Sequence, residues 1–267
     1  MRQALVFCLL IPWTARAEVA TAKAAPKTPK GLPQCTSSLK PASDLPRALG
    51  ETIRYHLDMD GLSVGVIDFK ISQRGNYSGK PVTEYRSLFK LDALVATFVP
   101  VHGQAAALVP DAAFWPLLAM NRYRLNNSQF EEDVTYQGDG RVVASKRKKD
   151  GTAKDETRRF TDPALDFVSA FYMLRTLPPA IDGCTVLYGN QRAYTVWVKA
   201  DGKDKVKTPA GFRPADRYNV RYGSERGKEI IEGKMWLGEP PARVPYQAEL
   251  SGKHRLLARI HMYDMGQ

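Results

Sequence analysis

Histidine and cysteine are scarce in this chain, with four of the first and three of the second among 267 residues. The scarcity argues against metal chemistry. Cys35 and Cys184 have no partner at ligand spacing, and His56, His102, His254 and His261 stand in no H-E-x-x-H frame. His254 and His261 lie seven apart on an expected strand, so they point to opposite faces and cannot be paired ligands there. No metal and no cofactor is expected. Long apolar runs are missing too: after residue 17 nothing approaches the ~20 apolar residues that span a bilayer, so the mature chain is expected to carry no transmembrane span. Acid is in deficit, with 28 Asp and Glu against 39 Lys and Arg, a formal charge of +11.

What is present begins with a leader. Arg2 supplies the positive start, Ala4 to Trp13 the apolar region, and Ala15-Arg16-Ala17 an A-x-A cleavage frame. Residues 1–17 read as a signal peptide and Glu18 as the mature start. The leader takes two arginines and no acid with it, leaving a charge of +9. Cys8 lacks the small residues of a lipoprotein box, so no lipid anchor is expected. Export makes nucleic acid an unsuitable partner for so basic a chain. Lipid headgroups or envelope polymers fit it better, as does an envelope protein, while the bland alternative is that the charge only keeps the chain soluble. Export also favours oxidation, and one disulfide between Cys35 and Cys184 is expected, with two free thiols as the alternative.

Residues 18–46, rich in Ala, Lys, Pro, Ser and Thr, read as a flexible tail, with any order centred on Cys35, whose disulfide would pin it near the end of the helix at 162–179, and 47–267 as a single β-rich domain. Ile53, Tyr55, Leu57 and Met59 alternate with polar residues, a half-buried strand. A phase slip between Val66 and Ile67 predicts a bulge. Gly75 to Pro81 reads as a loop, Val82 to Val99 and Gln104 to Val109 as strands, and Pro110 to Met120 as either a helical turn or an apolar loop. Gly138-Asp139-Gly140, Asp150-Gly151 and Asp201-Gly202 read as turns. The strong helix signal is 162–179: Asp162 as N-cap, Pro163 at the first position, Leu165, Val168, Phe171, Tyr172 and Arg175 at helical spacing, and Pro178-Pro179 as the stop. Short turns between successive strands imply an antiparallel meander. The fold class is therefore mainly β, a strongly curved antiparallel sheet or open half-barrel with one main α-helix packed on its concave face.

Candidate site residues follow from that picture. The helix aromatics Phe167, Phe171 and Tyr172, with Tyr55, Trp197 and Trp236 from strands, are the candidate lining of an apolar ligand cavity between sheet and helix. Packing alone also explains them. Arg141, Lys146, Arg147, Lys148 and Lys149 form a candidate anionic-surface patch, against which stands the plain reading of a solvated edge. Gly61-Leu62-Ser63-Val64-Gly65 fits the G-x-S-x-G pattern of serine hydrolases, but a strand follows it where the nucleophile elbow needs a helix. Asp58, Asp60 and Asp68 lack the calcium-loop spacing and suit turn and edge roles. No catalytic residue is assigned, and the chain is expected not to be an enzyme. Asn76-Tyr77-Ser78 and Asn126-Asn127-Ser128 fit the glycosylation frame, which matters only in a eukaryote.

Four stretches, in order, carry a resemblance. They are Glu51-Thr52-Ile53-Arg54-Tyr55 leading to Gly61–Gly65, Asp162-Pro163 with Ser169-Ala170-Phe171-Tyr172 and Leu174-Arg175, Thr208-Pro209-Ala210-Gly211-Phe212, and Met235-Trp236-Leu237 followed by Pro245 and Glu249-Leu250. Together they resemble the bacterial family known as domain of unknown function 3108. The resemblance implies an exported protein of the Gram-negative envelope, periplasmic, with no catalytic residues assigned. The closing strand pattern is also similar to that of periplasmic lipoprotein carriers, half-barrels that hold acyl chains on a helix-plugged concave face. Architecture of that kind is a weak warrant for function. Three readings remain open: a carrier or sensor of an apolar ligand, a packed structural or interaction module without ligand, and, last, a hydrolase acting through Ser63 or an acidic pair.

Overall fold

The computed structural model describes residues 31–32, 35–92, 96, 101–125, 128–227, 229–251 and 257–266. Residues 1–17, expected to be a signal peptide, and His254 lie outside them. Among the described residues the chain forms β1 (Thr52–Met59), β2 (Leu62–Tyr77), β3 (Lys80–Leu91), β4 (Val101–Pro110), β5 (Leu118–Leu125), β6 (Ser128–Tyr136), β7 (Arg141–Lys148) and β8 (Ala153–Arg159). One helix, α1 (Phe167–Leu174), follows. Then come β9 (Asp182–Gly189), β10 (Arg192–Thr208), β11 (Gly211–Ser224), β12 (Ile230–Gly238), β13 (Pro245–Ser251) and β14 (Leu257–Gly266).

All fourteen strands belong to one sheet in the order β8-β7-β6-β5-β4-β3-β2-β1-β14-β13-β12-β11-β10-β9, with every pairing antiparallel. This is a meander cut at the helix: the β8-to-β9 crossing carries α1, and β1 pairs with β14 where the ends of the domain meet. The strands twist and the sheet curls until its two ends face one another. They do not pair, so the barrel stays open along a seam between the β6–β8 end and the β9–β10 end.

Side chains close that seam. Tyr136, Val142, Ala144 and Phe160 pack with Tyr188 and Ala193 across it. Tyr136 Oη donates to the Tyr188 carbonyl at 2.7 Å. Glu132, with no exposed surface, accepts from the backbone N–H groups of Asn190 and Gln191 at 2.6 Å each and from Asn121 Nδ2 at 3.2 Å. Arg158, buried, forks between Glu156 and Glu225. The outer edge of β9 is covered as well. Cys184 N donates to Ser37 O and Leu39 N to Cys184 O, while Leu165 N donates to Val186 O and Tyr188 N to Leu165 O. A bare strand edge would invite pairing with another chain. The Cys35–Cys184 disulfide, Cα to Cα 5.7 Å, fixes the covering segment in place. From Ser37 to Leu45 the tail is ordered next to Cys35 and held against the domain, with Ala42 N donating to Thr176 O at the helix end.

The helix is shorter than its sequence signal. Asp162 is not the N-cap; its Oδ2 accepts from Ser38 Oγ. Residues 163–165 stay extended because Leu165 bridges β9. Asp166 caps instead, accepting from Val168 N at 2.7 Å and Ser169 N at 3.2 Å. Val168, Tyr172 and Met173 then pack on Ile71, Tyr85, Val109, Val198 and Leu237 from the concave face. Burial pushes the Asp166 carboxyl above its usual range, against the pull of its bonds from Ser169 and Val168. A raised acid pKa means that ionisation disfavours the fold, so this group's unfavourable contribution appears as pH rises through the carboxylate range. Asp166→Asn keeps an acceptor for the first turn without the buried charge. Urea unfolding is expected to show its advantage over the native chain at about pH 7 and a smaller one at about pH 4. Asp166→Ala, lacking the cap, loses ~1 kcal/mol at either pH. An Asn advantage that grew in acid would contradict the assignment.

Several local readings are corrected. Gly75 to Pro81 is not a loop: β2 and β3 run through it and turn only at Ser78-Gly79. Asp201-Gly202 is not a turn but a bulge within β10, and the chain reverses at Pro209-Ala210. The β2 phase slip is a bulge at Val64, since Leu57 pairs with Gly65 and Asp58 with Ser63. Residues 111–117 resolve as a loop between β4 and β5. β9 had no sequence signal at all.

Candidate functional site

A cleft of about 1100 Å³ opens at the rim of the half-barrel where three irregular segments meet. They are the covering segment from Cys35 to Arg47, the β4–β5 loop from Asp111 to Trp115, and the strand-to-helix connection from Phe160 to Pro163. Val186, Thr185 and Thr195 contribute from β9 and β10. Its walls are mixed: Leu39, Leu45 and Phe160 are buried and Phe114, Trp115 and Val186 half-buried, beside Ser38, Thr185 and the buried Thr195. Its mouth is polar, with Lys40, Asp44, Asp111 and Asp162 exposed. Arg47 braces the loop side, donating to Thr83 Oγ1, to Asp111 Oδ1 and to the Pro110 and Asp111 carbonyls at 2.9–3.0 Å. Phe114 and Trp115 meet edge-on at 5.1 Å. A cleft with apolar side chains in its walls and charged residues at its mouth can bury part of a hydrocarbon body and leave a polar head in water.

The six aromatic candidates do not line this cleft. The structure brings three of them together as packing. Phe171 stacks on Phe69 at 3.7 Å, Tyr55 meets both rings edge-on, and Tyr172, fully buried, lies 4.4 Å from Tyr85. Tyr55 Oη donates to Pro245 O at 2.8 Å. Phe167 is 41% exposed at the start of α1, against Tyr194 and close over Gly189. Trp236 sits apart with Val206, Ala215 and Tyr246, its Nε1 donating to Asp204 at 3.2 Å. Trp197 is half-buried on β10. Burial pushes the hydroxyls of Tyr55, Tyr172 and Tyr85 up, that of Tyr85 to about 12, so these rings stay neutral and act as packing rather than as bases.

The basic candidates are likewise divided. Arg141 lies at the start of β7, opposite Arg159, while Lys146 to Lys149 lie at its other end. Lys146 turns in, with its ammonium 4.0 Å over the Phe130 ring and a hydrogen bond to Asn190. Arg147, Lys148 and Lys149 are exposed. Ser63 Oγ donates to Asp92 Oδ2 at 2.6 Å from a strand, and the glycines around it have backbone reasons. Gly61 turns with φ 83°, and a Cβ on Gly65 would strike the Lys90 carbonyl. Asp68 pairs with Arg54 and Asp58 with His261, and Asp60 occupies the β1–β2 turn. Among the described residues no group of three or more His, Cys, Asp and Glu could hold a metal, and no helix is long and apolar enough to cross a membrane.

Sequence reasoning missed the cleft because loops and a covering segment build it, and none of these has a period. It also missed the buried charges: Glu132, the Arg158 cluster, Arg243 with Asp216 at 2.8 Å, and Arg175 with Glu51.

Fold and cleft together define a class: an open antiparallel half-barrel, plugged by one helix, with a rim pocket. Within that class the chain belongs to the family described as "Protein of unknown function (DUF3108)", whose model matches residues 52–251. No curated protein matches it. Among solved structures it is similar to a beta-barrel-like protein of domain of unknown function DUF1849 from Brucella abortus, at 10% identity and a TM-score of 0.52 over 82% of this chain and 98% of that one. It is also similar to a Bacteroides fragilis protein described as exported with a YmcC-like fold, at 13% identity and a TM-score of 0.40 over 85% of this chain and 100% of that one. The first likeness shows the fold alone.

Proposed function

We propose that this is a non-catalytic exported protein of the cell envelope that holds an amphiphilic ligand in the rim cleft. The observation that carries the reading is the cleft itself, with the apolar side chains of Leu39, Leu45, Phe114, Trp115, Phe160 and Val186 in its walls beneath a lip of Lys40, Asp44, Asp111 and Asp162. The leader-like N-terminus, the disulfide and the family resemblance support export. The space between sheet and helix is occupied by the Phe69–Phe171 stack and the Tyr85–Tyr172 contact, which directs the ligand to the rim.

Native mass spectrometry of the chain purified from a bacterial periplasm without detergent tests this. The expected result is added mass that organic extraction removes, and that Ala113→Trp, which fills the cleft, abolishes. A bare polypeptide that also fails to take up a lysophospholipid would turn the reading toward a packed interaction module. That second reading has its own support in the filled core beneath α1.

A further inference from the structure

The β10–β11 hairpin outruns its neighbours. β9 stops pairing with β10 at Lys199, and β12 stops pairing with β11 at Ala215. Beyond that point Lys205, Val206, Lys207 and Thr208 pair only with Pro214, Arg213, Phe212 and Gly211. The result is a two-stranded ribbon extending roughly 13 Å past the pairing of its neighbours, at ~3.4 Å per residue, with Val206 and Thr208 buried on one face. An isolated ribbon of that size is marginal in water. This one is fixed at its base, where Val206 and Ala215 are buried against Trp236 and Tyr246. At its tip Thr208 Oγ1 donates to Gly211 O at 2.8 Å. The ribbon is therefore held in shape rather than left to fluctuate.

What the ribbon presents is unusual for a surface exposed to water alone. Phe212 is 72% exposed at the tip. Lys207 is its direct cross-strand partner and Lys205 that of Pro214, so these four share a face opposite the one that Val206 packs. Lys203 and Arg213 are exposed nearby, and none of the four cations forms an ion pair among the described residues. The acid of this stretch, Asp204, is already engaged by Trp236 Nε1 and Arg217, each at 3.2 Å. Three uncompensated lysines thus lie on the side of one solvent-facing aromatic ring and a Pro-Ala turn, with Arg213 on the other face beside Val206. An aromatic ring settles at the boundary between acyl chains and headgroups, and cations around it settle at the depth of lipid phosphates.

We propose that the β10–β11 tip docks this protein on an anionic phospholipid surface, with Phe212 entering the interface and Lys203, Lys205 and Lys207 facing the phosphates. The surface is separate from the rim cleft, and neither reading depends on the other.

The test is flotation of the exported chain, freed of its leader, with phosphatidylglycerol-containing vesicles and with pure phosphatidylcholine vesicles. Binding is expected to the first and not to the second, and to weaken as salt rises. Phe212→Ser is expected to weaken it ~10-fold, the share of a partly buried ring. The triple change Lys203→Gln, Lys205→Gln and Lys207→Gln is expected to weaken it ~100-fold, at about fivefold per cation. A triple change of equal charge elsewhere, Lys70→Gln, Lys90→Gln and Lys234→Gln, controls for net charge and is expected to leave most of the binding. These side chains are exposed, so thermal unfolding should be unchanged in every variant. No binding to the anionic vesicles would overturn the proposal and leave the tip to a protein partner. Equal losses from the two triple variants, or no loss from Phe212→Ser, would overturn it as well.

Discussion

Replacing Glu132 by alanine is expected to cost ~3–5 kcal/mol and to open the barrel at its seam first. The carboxylate is fully buried and accepts from two backbone N–H groups at 2.6 Å and an amide at 3.2 Å. Asn190 and Gln191 form the β9–β10 turn, and both have positive φ, 54° and 51°. Their amides therefore point away from the ladder, and Glu132 satisfies them from the opposite end of the sheet. Removing it leaves buried donors without acceptors, at ~1–3 kcal/mol each, and a void besides. At ~2–4 °C per kcal/mol for a domain of this size, Tm should fall by about 10 °C. Glu132→Gln retains one acceptor oxygen and should lose about half as much. Hydrogen exchange locates the effect: the Asn190 and Gln191 amides should lose protection before the β1–β14 pairing does. A Tm within about 2 °C of the native value, with both amides still protected, would show that the apolar contacts of Tyr136, Phe160 and Tyr188 hold the seam by themselves.

That seam also marks where the sequence was legible and where it was not. β1 could be read because Ile53 and Tyr55 alternate with exposed residues on a sheet with one wet face, and such alternation is a local property. The Gly138–Gly140 and Asp150-Gly151 turns could be read for the same reason. Asp201-Gly202 carries identical turn chemistry yet is a bulge, because β9 ends beside it while β11 continues. Only the register of the partners separates the two outcomes. β9 was invisible because its outer edge is covered by Ser37–Leu39 and Leu165, so both its faces and its edge are partly enclosed and no alternation survives. Asp162 had the sequence context of a cap, but the Leu165 bridge to Leu187 competed for the residues after it and won. Glu132 shares its face with Val134 and Tyr136, so alternation turns it inward, but nothing local to β6 names its partners. The Asn190 and Gln191 amides that Glu132 meets, and the Glu225 that Arg158 meets, come from across the seam of the curled sheet, which no window of neighbouring residues encodes.

The other large effect concerns the join of helix, first strand and last turns. Arg175, at the C-terminus of α1, forks onto both oxygens of Glu51, with Nη2 to Oε2 at 3.1 Å, and its Nε donates to Ala242 O at 3.0 Å. Its guanidinium also lies 5.9 Å from the Tyr172 ring centre. Both side chains are more than nine-tenths buried, so one contact ties the residue before β1, the helix end and the β12–β13 connection. Desolvation offsets much of the attraction in such a pair, so its presence adds little net stability, whereas breaking it leaves a charge without a counterion. Glu51→Ala is therefore expected to cost ~3–5 kcal/mol, and Arg175→Met a similar amount. The double variant Glu51→Leu with Arg175→Met should lose far less than the sum, because it buries no charge at all. Urea unfolding of the four proteins closes the cycle, and a coupling above about 2 kcal/mol is expected. It should change little with salt, since ions do not enter a buried site. Single variants that each cost under about 1 kcal/mol would mean that water reaches Arg175 when Glu51 is gone. The helix would then be held by the Tyr85–Tyr172 contact and the Phe69–Phe171 stack rather than by its buried charge.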